Sequence, residues 1–91
     1  MAECSRKAYL AYDRQLNDVY EGVLKRVDSV SASLIRDAQR KWVDLQQADQ
    51  AADNGPWRND RGSMATPDIE ALRVDAIRQR IAKLRYYDPG P

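Results

Sequence analysis

Histidine is absent from this 91-residue chain, and so is the commonest side chain for neutral-pH proton transfer and metal binding. One cysteine allows neither an intrachain disulfide nor a zinc cluster. Four glycines, none of them in a phosphate-loop pattern, leave no nucleotide cradle. Phenylalanine is missing too, so the large apolar anchors must come from two Trp and five Tyr. No run approaches the ~18 apolar residues of a membrane span. The charge balance, 15 basic against 14 acidic residues, gives a net +1 and no overall field for nucleic acid. The start, Met1-Ala2-Glu3-Cys4, lacks the basic region and apolar run of a secretory leader. Composition therefore argues against an enzyme, a cofactor, a metal site and a basic-patch nucleic-acid binder.

What is present is helical periodicity. The expected architecture is all-α: one domain over 1–91, an antiparallel three-helix bundle with a long loop between the second and third helices. The helices are expected at about 5–27, 32–52 and 67–87. In the first, Tyr12, Leu16, Val19, Tyr20, Val23 and Val27 recur at three- and four-residue steps. Ser29 or Ser31 is the expected cap of the second. Its inward face reads Leu34, Ile35, Ala38, Trp42, Leu45, Ala48 and Ala52, shrinking toward the end. Thr66 and Pro67 announce the third helix, with Ile69, Leu72, Ala76, Ile77, Ile81 and Leu84 inward. No alternating pattern argues for strands.

Two groups of residues stand out. Asp13, Asn17, Tyr20, Gln39, Trp42 and Arg80 lie on or beside apolar faces. Buried polar groups need partners. An economical network has Arg80 donating to Asp13, completed by Asn17 and Gln39, with Trp42 as the packing centre. A carboxylate paired with arginine is a poor general base at neutral pH, so this network is read as structural. The second group sits in the loop at 53–66, where Asn54-Gly55-Pro56 and Arg61-Gly62-Ser63 break helices. Trp57 there is expected to cap the core as a lid; alternatively it anchors a binding loop with Arg58, Asp60, Arg61 and Ser63.

The spacing of Cys4, Asp13-x-x-Leu16-Asn17-x-x-Tyr20 and Gln39-Arg40-Lys41-Trp42 resembles that of the LprI-like lysozyme-inhibitor family. Gly62-Ser63 and Arg80-x-x-x-Leu84 continue the likeness in order. The resemblance implies a small helical bacterial domain, periplasmic or secreted. Its partner would be a protein such as a lysozyme or other cell-wall hydrolase. Cytoplasmic residence is the alternative, as is an immunity-type interaction module for a toxin or envelope partner. The chain departs from the family pattern at Gln46 and Gln47, where an R-D pair is usual. It departs again at Gln50 and Leu72, where the later cysteines stand in relatives. Losing both together is coherent if they pair with each other. That end of the core then holds without a staple worth ~2–4 kcal/mol.

Overall fold

A computed structural model describes the backbone of residues 2–60 and 65–90, and the side chains of 7–57, 59 and 69–90. Three α-helices account for nearly all of it: α1 (Ala2–Arg26), α2 (Ser29–Asp53) and α3 (Ala65–Tyr87). A short 3-10 helix covers Pro56–Asp60. The fold is all-α, with no strand among the described residues. Of the stretch expected as a loop at 53–66, Asp53 still belongs to α2, Pro56–Asp60 form the short 3-10 helix, residues 61–64 lie outside the described residues, and α3 starts two residues ahead of Pro67.

Each helix end has a local cause. Only Val27 and Asp28 separate α1 from α2. Asp28, not either expected serine, caps α2: one carboxylate oxygen accepts from the Ser31 N–H at 2.7 Å. The other accepts from the Ser31 hydroxyl at 2.8 Å. A carboxylate fixes the exposed amides of the first turn and suits the positive helix end. At the far end of α2, Asn54 donates from its backbone and its side chain to the Gln50 carbonyl. The Ala52 carbonyl accepts from the Gly55 N–H and from the Trp57 indole N–H. Two otherwise unpaired carbonyls are satisfied in this way. A Cβ on Gly55 would lie 3.1 Å from the Trp57 ring and 3.2 Å from the Ala52 carbonyl, so glycine permits the ring to seat there.

Packing is uneven. The principal contact is between α1 and α3, and α2 meets them along a narrower line. Tyr12 lies beside Arg78, and Arg26 reaches Asp88 at 2.8 Å, so α1 and α3 run the same way. Along α2 the order reverses: Ile35 shares a core with Leu84, Gln39 bonds Arg80, and Asp53 shares a groove with Glu70. The core holds Leu16 and Val23 of α1, Ile35 of α2, and Ile77, Ile81 and Leu84 of α3. Tyr12, Val19, Tyr20, Leu24, Val27, Trp42 and Tyr87 pack around it. The molecule is long and flat, 48 × 24 × 15 Å.

The expected inward faces need two corrections. Leu34 and Leu45 of α2 are 68% and 53% exposed, and Leu72 of α3 is 62% exposed. The buried row of α2 is instead Ala32, Ile35 and Gln39, with Trp42 half-buried. The two rows lie about 120° apart on the helix. The exposed row carries more apolar residues than the buried one, which is why periodicity favoured it.

Candidate functional site

The residues singled out from the sequence separate in space. Gln39 is buried, and its Oε1 accepts from the Arg80 Nε–H at 2.7 Å. The Arg80 guanidinium lies 5.9 Å from the centre of the Trp42 ring, within cation–π range. Burial lowers the Arg80 pKa from its ordinary value, yet the group stays a cation at neutral pH. Its Nη2 is buried with no hydrogen-bond partner. Asp13 is half-buried but makes no ion pair with Arg80; it lines a groove instead. Asn17 is exposed, so it belongs to no buried network. The expected four-residue cluster thus reduces to a Gln39–Arg80–Trp42 unit, because the helix phase turns Asn17 outward.

Trp57 is 43% exposed, and its indole N–H is engaged at the end of α2. Arg58 and Asp60 lie in the 3-10 turn, with side chains outside the described set. Arg61 and Ser63 fall outside the described residues altogether.

The three helices enclose an open groove of about 1000 Å³. It lies where α1, α2 and α3 diverge, at the end remote from the Arg26–Asp88 ion pair. Tyr9 and Asp13 come from α1; Trp42, Gln46, Asp49 and Asp53 from α2; Glu70, Leu72, Arg73 and Asp75 from α3. Its chemistry is one-sided. Among the described lining residues, Asp13, Asp49, Asp53, Glu70 and Asp75 are set against one cation, Arg73. Glutamines 46, 47, 50 and 79 supply further polar lining, and Trp42 and Tyr9 give flat apolar surface. Low-dielectric walls concentrate the field of such carboxylates, so the groove attracts cations despite the near-neutral chain. Among the described residues, no set of three carboxylate or thiol ligands is close enough to hold a metal ion. No helix there is long and apolar enough to cross a membrane.

The sequence carried a trace of this groove. From Gln46 to Asp53, α2 offers only small and polar residues on its inner side, so there is nothing to close the bundle at that end. What the residues did not reveal was that Glu70 and Asp75 face the same space.

No curated protein and no solved structure matches the chain. A sequence model described as "Lysozyme inhibitor LprI" matches residues 1–84. That span covers α1, α2 and nearly all of α3, including every described residue that lines the groove. The chain belongs to the LprI lysozyme-inhibitor family.

Proposed function

We propose that the protein is a non-catalytic inhibitor-type binding protein of the periplasm or cell exterior. Its partner is a lysozyme or another basic cell-wall hydrolase. The observation that carries the reading is the acidic groove, whose described lining sets five carboxylates against one arginine. A basic enzyme surface is its electrostatic complement. Such complementarity raises association rates and rejects acidic partners. Family membership supplies the class of partner. The segment from Trp57 to Ser63 follows Asp53 in sequence, and we propose Trp57, Arg58, Asp60, Arg61 and Ser63 as a second set of partner contacts. Trp57 serves first to finish α2, so Arg58 and Arg61 are the better candidates there to touch a partner.

The test is inhibition of several lysozyme types, together with direct binding by calorimetry. Micromolar or tighter binding that weakens steeply with salt is expected. Asp49→Lys with Asp53→Lys should weaken it at least tenfold while leaving the melting temperature within a few degrees. Absence of binding and inhibition across lysozyme types at micromolar protein would overturn the proposal. So would full affinity in the charge-reversed variant.

A further inference from the structure

The outer face of α2 carries a second apolar pattern that none of the described residues covers. Leu34, Ala38, Lys41, Leu45, Ala48 and Ala52 are spaced by four, three, four, three and four residues. That alternation is the seam of a coiled coil, about 27 Å long at 1.5 Å per residue. Leu34 and Leu45 are 68% and 53% exposed, and Val30 at the same edge is 70% exposed. Ala48 and Ala52 are exposed and Ala38 half-exposed. The seam lies about 120° round the helix from the row that meets the core; groove residues Gln46 and Asp53 lie about 100–120° from it, and Asp49 about 60°.

We infer that this face pairs with a second copy of itself, α2 against α2, in antiparallel register. The reason is self-complementarity. The seam is large at one end and small at the other. Turned about a two-fold axis near residue 43, Leu34 of one copy falls opposite Ala52 of the second, and Ala38 opposite Ala48. Lys41 then lays its stem on Leu45. Its ammonium reaches Asp44 of the second copy, which lies on the same edge of the helix as Asp37. Lys41 already holds Asp37 at 3.2 Å within its own helix, both side chains being largely exposed. In this register each lysine lies between two carboxylates, Asp37 of its own helix and Asp44 of the second copy. A parallel pairing is disfavoured because it sets the Lys41 ammonium of one copy on that of the other. Two-fold contacts of this kind are the commonest form of self-association.

A seam of one helix face places the contact toward the low end of specific interfaces, below about 1,200 Å² in total. The dimer is accordingly reversible. It leaves both acidic grooves open, one on each side, and it does not depend on lysozyme being the partner.

Analytical ultracentrifugation of the full chain across the micromolar range tests it. The expected mass rises with concentration from the 10.4 kDa of one chain toward twice that value. Leu34→Glu with Leu45→Glu should hold the mass at 10.4 kDa with unchanged helicity, both positions being exposed in the single chain. Ala48→Glu gives the same readout should the double variant lose helicity. Lys41→Glu should weaken the pair at least tenfold, by setting a carboxylate against Asp44 of the second copy. A wild-type mass of one chain throughout would overturn the inference. Equal dimerisation of wild type and the glutamate variants would overturn it too.

Discussion

Replacing Gln39 by leucine isolates what one buried amide does for this fold. The swap nearly conserves volume, so it removes polarity and little packing. Gln39 is 8% exposed and accepts the Arg80 Nε–H at 2.7 Å. Without it, a partly buried guanidinium loses a charge-assisted bond while its Nη2 already lacks a partner. Stranding a buried charged donor costs about 1–3 kcal/mol, and the charge places this case in the upper half. A domain of this size loses roughly 4–8 °C in Tm per kcal/mol. The expected drop is therefore about 10–20 °C in a thermal melt followed by circular dichroism. Arg80→Met should cost less, since a neutral amide oxygen is cheaper to strand than a cation. The double variant should recover to within about 1 kcal/mol of wild type, because neither partner is then left over. Urea titration of all four proteins closes the cycle. Additive losses in the double variant, or a Gln39→Leu cost under ~0.5 kcal/mol, would refute the reasoning.

Two further outcomes concern helix ends. The Ser31 backbone N–H, and then its hydroxyl, hold the Asp28 pKa below the ordinary 3.8. A lowered folded-state value gives stability that is present above the unfolded pKa and lost as pH falls through the folded one. Asp28→Asn keeps the cap without the charge, so its melting temperature should trail wild type at neutral pH and converge with it below pH 3.8; a constant gap would contradict the linkage. Trp57→Phe removes the indole donor to the Ala52 carbonyl. We expect a loss of ~0.5–1.5 kcal/mol and faster amide exchange in the last turn of α2. Unchanged exchange there would mean that the indole bond does not hold in solution.

The three helices were legible because α1 and α3 show single apolar stripes at helical spacing. Leu16, Val23, Ile77, Ile81 and Leu84 fall on those stripes and are buried. The phase of α2 was not legible, for a physical reason. Its buried row spends a position on Gln39, whose partner lies 41 residues away, while its exposed row carries two leucines. A hydrophobicity pattern weighs burial as though every polar residue belonged outside, and it fails where a polar pair is satisfied within. Asp28 was passed over as a cap because two serines beside it matched the preference equally well. The groove is legible only in part. The polar run from Gln46 to Asp53 marks an end that cannot close, but which carboxylates of α3 face it depends on the relative rotation of two helices. Local sequence does not encode that rotation.

The pairing of α1 with α3 sets the order in which this chain can acquire its structure. The helices adjacent in sequence, α1 and α2, share little surface, whereas the extensive contact joins segments separated by the whole of α2. Four of the fully or nearly buried apolar residues, Ile69, Ile77, Ile81 and Leu84, arrive with α3. A nascent chain that has emerged only as far as Asp53 holds two helices with half a core, and it must wait for its last segment. Folding is then limited by closure of a loop of about sixty residues, slower than hairpin zipping in a bundle built from sequential neighbours. The Arg26–Asp88 ion pair ties the two helix ends together once that loop has closed.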